Sequence, residues 1–255
     1  MQSFRTRILA LVLGLVTVTV FATVAAVVIK ARGSAHERAA EQLRAGAQVA
    51  REVLHFRGEQ LTGAVRVLAA DFGFREAVAS ADTATILSAI ENHGSRIGAG
   101  MVVLMDLDGR IIASTIASLP GNAPAEFAEM VRDRSSRYNG PAIRIVGRRP
   151  YQLVLAPVRA PEALAWVAMG FVVDDKLAAD IARVAGVDVS FVGTSASGRG
   201  FLASSLPASE RKALEESPGV GSDRIFVAQS KQDQYLGLVE SLPAANEMLE
   251  IVLHS

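Results

Sequence analysis

The feature that most constrains this chain is an uninterrupted apolar run near its start, from Ile8 to Ile29. As an α-helix, these 22 residues would extend about 33 Å, enough to cross the roughly 30 Å hydrocarbon core of a bilayer. No charged residue interrupts the run, and a charge at that depth would be costly. The run therefore predicts a transmembrane helix. A cleaved signal peptide is the alternative, because small residues near the end of the run resemble a cleavage site.

Basic residues flank the run on both sides, Arg5 and Arg7 before it and Lys30 and Arg32 after it. The positive-inside rule is therefore almost balanced. A short tail is retained in the cytoplasm more easily than a large folded domain. We expect the N-terminal tail in the cytoplasm and the chain from about residue 30 onward outside the membrane, which is the periplasm if the cell is Gram-negative.

Composition excludes several kinds of function. The chain has no cysteine, which excludes disulfides, thiolate zinc sites and thiol nucleophiles. Its 26 basic and 26 acidic residues balance, so it lacks the electrostatic footprint of a nucleic-acid-binding protein. The histidines form no closely spaced metal-ligand pair, and no G-x-S-x-G nucleophile motif occurs. We expect no cofactor and no enzyme activity in this segment.

Residues 34–70 contain no proline and predict one long helix. Its apolar residues recur at spacings of four and three, which is the pattern of a coiled-coil seam. The seam comprises Leu43, Ala47, Ala50, Leu54, Arg57, Leu61, Ala64 and Leu68, and a second stripe comprises Val49, Val53 and Phe56. The helix could pack on the core of its own domain or also form a dimer seam. Two stripes allow both, and we expect a homodimer through this stalk helix.

Beyond Gly98 the hydrophobic period changes from helical to strand-like. Residues 101–107 and 110–115 flank the turn Asp106-Leu107-Asp108-Gly109, which predicts a β-hairpin. A short amphipathic helix follows over residues 124–134. Three further strands are predicted over residues 141–146, 151–158 and 164–173. This order predicts a small antiparallel sheet with a helix on one face.

A comparable order of elements begins again after Gly186. The residues from Gly109 to Ser114 resemble those from Gly198 to Ser204, and Tyr151-Gln152-Leu153-Val154-Leu155 resembles Tyr235-Leu236-Gly237-Leu238-Val239. A repeat of about 85 residues is too long for a solenoid unit, so two tandem domains of like fold are predicted. The predicted boundaries are 1–7 for the tail, 8–29 for the transmembrane helix, 30–98 for the stalk and short helices, 99–173 for a membrane-distal subdomain, 174–186 for a connecting helix and 187–255 for a membrane-proximal subdomain.

This arrangement resembles the double Cache sensors of bacterial transmembrane receptors. The segments over residues 151–158, 165–175 and 187–191 are similar to sensor regions that precede GGDEF and EAL domains. The resemblance implies an α/β fold in which a long N-terminal transmembrane and stalk helix precedes two PAS-like, antiparallel-sheet subdomains. It also implies sensing outside the cell and an output that makes or degrades cyclic di-GMP. A chemoreceptor, a histidine-kinase sensor and a ligand-free dimerisation module are the alternatives.

A ligand site is predicted in the membrane-distal subdomain, where arginine and aromatic residues concentrate around the central strands. A guanidinium can hold both oxygens of a carboxylate, and aromatic rings can enclose the rest of a small molecule. The candidate ligand-binding residues are Tyr138, Arg144, Tyr151 and Trp166, and the neighbouring Arg148 and Arg149 are interpreted as an exposed turn. The predicted partner is therefore a small molecule, and a carboxylate is the favoured class.

Overall fold

A computed structural model of the chain describes residues 4–132, 141–147, 149–195, 198–215, 225–229, 234–242 and 248–254. The chain divides into two units, Met1–Gln42 and Leu43–Ser255. The first unit contains the beginning of helix α1, which extends over Phe4–Ala69. The second unit contains the end of α1, five further helices and both β-sheets among the residues described.

Within the first unit, threonine hydroxyls in the apolar part of α1 form hydrogen bonds inside the helix. The hydroxyl groups of Thr17, Thr19 and Thr23 each donate to a backbone carbonyl one turn earlier, at 2.7–2.8 Å. Such bonds satisfy a hydroxyl without water. None of the helices in the described part of the chain is both long and apolar enough to span a membrane. The transmembrane interpretation of residues 8–29 stays a prediction.

The second unit begins its first sheet after two short helices, α2 (Phe72–Ala79) and α3 (Thr83–Arg96). The strands are β1 (Met101–Met105), β2 (Ile111–Ser114), β3 (Ala142–Val146), β4 (Arg149–Arg159) and β5 (Ala163–Val172), with α4 (Ala123–Arg132) between β2 and β3. They are antiparallel and lie in the order β2-β1-β5-β4-β3. This is the small antiparallel sheet with one intervening helix that the sequence predicts.

The predicted turn between β1 and β2 is present, and its geometry explains its residues. The Asp106 carboxylate accepts from the amides of Asp108 and Arg110, at 2.9 and 2.8 Å. Gly109 has a φ of +85°, which side chains disfavour. A Cβ on Gly109 would lie 2.6 Å from the Cα of Ala128 in α4. The glycine therefore permits both the turn and the close approach of α4.

The first sheet has a separate apolar core on each of its two faces. One core contains Phe74 of α2 and buried residues from the end of α1, and we call this side of the sheet the α1 face. The other core contains Phe127 and Met130 of α4, and we call this side the α4 face. Because side chains alternate along a strand, Val154 belongs to the first core and Leu153 to the second.

The second sheet repeats the topology of the first. Its strands are β6 (Asp188–Ser195), β7 (Gly198–Ser204), β8 (Ile225–Gln229), β9 (Gln234–Ser241) and β10 (Met248–His254), with α6 (Ala208–Glu215) after β7. Their order, β7-β6-β10-β9-β8, matches that of the first sheet strand for strand. The self-similar segments found in the sequence fall on β2 and β7 and on β4 and β9. The predicted duplication is therefore confirmed.

Helix α5 (Asp175–Ala185) connects the two sheets, as predicted, and is capped at both ends. The Asp174 side chain accepts from the amide of Leu177 at 2.9 Å, which satisfies a donor at the start of the helix. Gly186 ends the helix in the left-handed conformation, with a φ of +69°.

The first turn of α5 is fixed to the second sheet by Asp175. Its carboxylate accepts from the amide of Ser204 at 2.8 Å and from both terminal nitrogens of Arg211, at 2.9 and 3.2 Å. Partial burial acts to raise the pKa of Asp175, but these donors outweigh it and hold the pKa below its ordinary value. Arg211 also donates to the carbonyl of Ser204, so one side chain joins α5, β7 and α6.

Most of the predicted seam of α1 is covered by the protein's own core. Leu43, Ala47, Ala50 and Leu54 are buried against α5 and the second sheet, and Leu68 is buried on the first. These side chains cannot form a dimer interface at the same time. For this stripe, the interpretation in which the helix packs on its own domain is confirmed. In the second stripe, Phe56 is 68% exposed.

Candidate ligand-binding site

Three of the predicted site residues lie on one face of the first sheet. Arg144 is on β3, Tyr151 on β4 and Trp166 on β5. The strand register places all three on the α4 face, with Val146 and Leu153 of its core. Tyr138 and Arg148 lie outside the described residues. Arg149 is exposed as predicted, but it is the first residue of β4, paired with Val146, and not part of a turn.

Arg144 and Tyr151 are direct cross-strand partners. Opposed residues in an antiparallel pair have Cβ atoms about 5 Å apart, so their side chains lie side by side. Both residues are only 4% exposed. The structure thus brings together a guanidinium and a phenol beside the apolar side chains of the α4 face.

Trp166 lies at the other end of the same face. It pairs with Pro157 of β4, whereas Tyr151 pairs with Val172 of β5. The six-residue offset along β5 between Trp166 and Val172 corresponds to about 20 Å at 3.3 Å per residue. One small ligand could not touch both ends, so Trp166 is not part of the group formed by Arg144 and Tyr151.

Two glycines lie beside the Tyr151 ring, and the closer one, Gly170, makes room for it. A Cβ on Gly170 would lie 3.1 Å from Tyr151 Cδ1 and 2.9 Å from the methyl carbon of Met101. A Cβ on Gly100 would lie 3.4 Å from Tyr151 Cε1. The ring therefore lies close to the backbone of β5 and to the start of β1, and its position is closely restricted.

The chemistry of this pair favours an anion that offers two oxygens. A buried guanidinium is stabilised by oxygen atoms that face it, and its interaction with a carboxylate is stronger in an apolar environment than in water. Helix α4 provides the apolar side chains that cover the same face. In the described part of the chain, no three acidic or histidine side chains lie close enough together to bind a metal ion.

An open cleft of about 370 Å³ lies elsewhere, where α5 ends and β6 begins. Arg183, Asp188 and Ser205 line it, together with Gly186. Asp188 accepts a hydrogen bond from the Ser205 hydroxyl at 2.8 Å, and Arg183 pairs with Asp180. None of the residues predicted from the sequence lies there.

The sequence pattern did not identify Gln152, the neighbour of Tyr151. Gln152 points to the α1 face and is 2% exposed. Its side chain accepts from Arg57 and donates to the carbonyl of Leu54 at 3.0 Å. The sequence did contain a signal for Gln152, because it is an amide side chain within the apolar strand from Tyr151 to Val158. A buried amide requires hydrogen-bond partners, so such a residue indicates a specific contact.

Comparison with solved structures finds the same fold in bacterial sensor proteins. The chain is similar to the periplasmic domain of Vibrio cholerae LuxQ, at 13% identity and a TM-score of 0.51, over 85% of this chain and 97% of that one. It is also similar to a domain of a sensory box/GGDEF family protein from Vibrio parahaemolyticus, at 12% identity and a TM-score of 0.50, over 86% of this chain and 96% of that one. At these identities the likeness establishes the fold.

Comparison with curated proteins finds no match. A family model described as the double sensory domain of two-component sensor kinases matches residues 36–218. The match covers well over half of the chain and includes the first sheet, α5 and the beginning of the second sheet. It confirms the resemblance seen in the sequence and identifies the segment as a sensor module rather than an enzyme. This chain belongs to the double Cache family of sensory domains.

Proposed function

We propose that this chain is the extracytoplasmic sensor region of a membrane-bound bacterial receptor and that it binds a small carboxylate on its first sheet. The observation that carries the ligand proposal is the buried cross-strand pair of Arg144 and Tyr151 on the α4 face. Two parallel N–H donors of the guanidinium would hold the carboxylate, and the phenol ring would exclude water from one side. Tyr138 stays a predicted contact, and Trp166 would belong to a separate part of the face.

The proposed location depends on the N-terminal sequence. Residues 8–29 would form the anchor in the inner membrane, and the chain from about residue 30 onward would lie in the periplasm. The apolar run and the short basic tail support this orientation. A sensor in that compartment would report to the cytoplasm through the membrane.

The proposed output is control of cyclic di-GMP turnover by a GGDEF or EAL domain. The resemblance of β4, β5 and β6 to sensor regions that precede such domains supports it. A histidine-kinase output is the second candidate, because the matching family is described from two-component sensor kinases. A GGDEF or EAL domain encoded beyond codon 255 would support the first output, and a histidine-kinase domain there would support the second.

A second copy of the chain is the proposed partner of α1. With most of the seam covered, the exposed apolar residues Phe56 and Val67 remain on one side of the helix, about three turns apart. Phe56 and Val67 are 68% and 76% exposed. Packing these residues against a second α1 would bury apolar surface that is otherwise in contact with water.

We expect Arg144→Ala to weaken carboxylate binding strongly. In the unchanged protein, a carboxylate from a panel of amino acids and di- and tricarboxylates should raise the melting temperature, because a ligand at 100 times its Kd stabilises the folded state by about 2.7 kcal/mol. Losing a bidentate, charge-assisted contact should weaken affinity by about 30- to 150-fold, or 2–3 kcal/mol. Titration calorimetry on the folded variant measures this loss.

Arg149→Ala is the matched control for this prediction. Arg149 is an arginine on the same hairpin, but it is exposed. Its loss should leave carboxylate affinity within twofold of the unchanged protein, since exposed charges contribute little. Equal losses in the two variants, or an unchanged affinity in Arg144→Ala, would remove Arg144 from the site.

A further inference from the structure

The β3–β4 hairpin has two functional faces. Arg144 and Tyr151 point to the α4 face, and their neighbours Ile143 and Gln152 point to the α1 face. On that side Ile143 shares a buried core with Leu54 of α1. Any displacement of the hairpin on the ligand side must therefore also displace groups that touch α1.

Gln152 makes the most specific of these contacts. Its amide nitrogen donates to the carbonyl of Leu54 at 3.0 Å, and its amide oxygen accepts from the guanidinium of Arg57. Gln152 is 2% exposed, so both bonds are shielded from water. We call Gln152, Arg57 and the Leu54 carbonyl the Gln152 clasp.

The clasp also reaches the helix that connects the two sheets. Burial lowers the pKa of Arg57 below its ordinary value, while the charge of Asp174 acts to raise it. The two charges are therefore within electrostatic reach of each other. Asp174 caps α5, and the next residue, Asp175, binds Ser204 and Arg211 of the second subdomain.

The backbone gives a parallel link between the same elements. The amide of Val173, which directly precedes Asp174, donates to the carbonyl of Pro150 at 2.9 Å. Pro150 is the residue before Tyr151 on β4. The hairpin that carries the candidate ligand site thus contacts both α1 and the start of α5 within a few residues of Tyr151.

We infer that Arg57 and Gln152 are positioning residues that couple the Arg144–Tyr151 face to α1 and α5. This inference rests on the proposed function, since it assigns the route by which a ligand on that face would act. A ligand that draws Arg144 and Tyr151 together shifts β4, and Gln152 moves with the strand. The clasp then passes the shift to α1 at Leu54 and to α5 at its cap. Such a ligand changes the signal only if it binds the shifted arrangement more tightly.

A hydrogen-exchange experiment without ligand tests the coupling. Arg144→Met disturbs the α4 face while keeping the length of the side chain, and Gln152→Met removes the clasp in the same way. Amide exchange is followed by mass spectrometry over residues 54–62 of α1 and 175–185 of α5 in the full chain. Arg144→Met should change the amide exchange rates of these two segments about tenfold when Gln152 is present and less than twofold in the Gln152→Met background. A coupling of this size is ordinary for residues that share contacts.

Two further variants separate coupling from general destabilisation. Val154→Ala weakens the packing of β4 on the α1 face, which is also the face of Gln152, without touching the clasp. The effect of Arg144→Met should therefore persist in the Val154→Ala background. Arg57→Met breaks the clasp from the helix side and should abolish the effect without altering the sheet. If Gln152→Met does not fold, Arg57→Met serves as the variant without the clasp, and the effect of Arg144→Met is measured in that background.

Additive effects of Arg144→Met and the clasp variants, or no effect of Arg144→Met on α1 and α5, would overturn the inference. Because no ligand is present, these outcomes are independent of the carboxylate titration. A carboxylate that binds while the effects are additive would leave the ligand proposal standing and remove only the coupling.

Discussion

Gly58→Ala should lower the stability of the second unit by about 2 kcal/mol, although alanine is the better helix former. Gly58 lies inside α1, where alanine alone would gain about 1 kcal/mol. Here an added Cβ would lie 2.1 Å from Cγ of Pro141 and 2.9 Å from the amide nitrogen of Gln152. A proline ring cannot rotate away, so we expect an overpacking cost near the upper end of the usual 1–3 kcal/mol. Guanidinium denaturation followed by circular dichroism measures the change.

Gly63→Ala provides the matched control in the same helix. No atom lies within 4 Å of a Cβ built on Gly63. This variant should therefore show only the helix gain and become more stable by about 0.5–1 kcal/mol. If the two variants change stability in the same direction by the same amount, the close packing of α1 against Pro141 and Gln152 would be contradicted.

Gly109→Ala should lower stability by about 3 kcal/mol and loosen the cover of the ligand face. The left-handed backbone of Gly109 costs a side chain about 1 kcal/mol, and the added Cβ would meet the backbone of Ala128 at 2.6 Å. Backbone atoms of α4 can relieve that contact only by moving the helix. We therefore expect α4 to shift, with a fall in the denaturation midpoint and faster exchange of its amides.

Gly98→Ala isolates the backbone part of this effect. Gly98 has a φ of +70°, and nothing lies within 4 Å of its added Cβ. It should lose only about 1 kcal/mol. A loss in Gly109→Ala no larger than that in Gly98→Ala would show that α4 does not pack against the turn.

The sequence was sufficient to predict the two sheets, because their signals are local. Alternating apolar residues and the Asp106–Gly109 turn each depend on a few neighbouring residues. Once these elements were ordered, the duplication followed from the similar segments near Gly109 and Gly198. The structure confirms it through the shared strand order.

The orientation of α1 could not be predicted in the same way. A spacing of four and three places residues on one side of a helix, whether another part of the chain or a second copy covers them. The partner of Arg57 could not be predicted either, since a charge within the seam was also compatible with a weak dimer interface. In the structure it binds a glutamine from a strand 95 residues away.

The site was partly predictable for a related reason. Arg144, Tyr151 and Trp166 share a face because strand residues alternate, but their distances depend on the register between strands. Only the register shows that Arg144 and Tyr151 are neighbours and that Trp166 is about 20 Å away. The close contacts at Gly58 and Gly109 also come from tertiary packing, which no pattern along the chain records.

The most direct test of the proposed sensor role is the side of the membrane on which the folded unit lies. Because the chain has no cysteine, a single Glu59→Cys substitution on the exposed side of α1 gives a label site with no background. A membrane-impermeant maleimide should label this cysteine in intact spheroplasts as completely as after lysis. Labelling that occurs only after lysis would place the unit in the cytoplasm and contradict the proposal that it senses ligands outside.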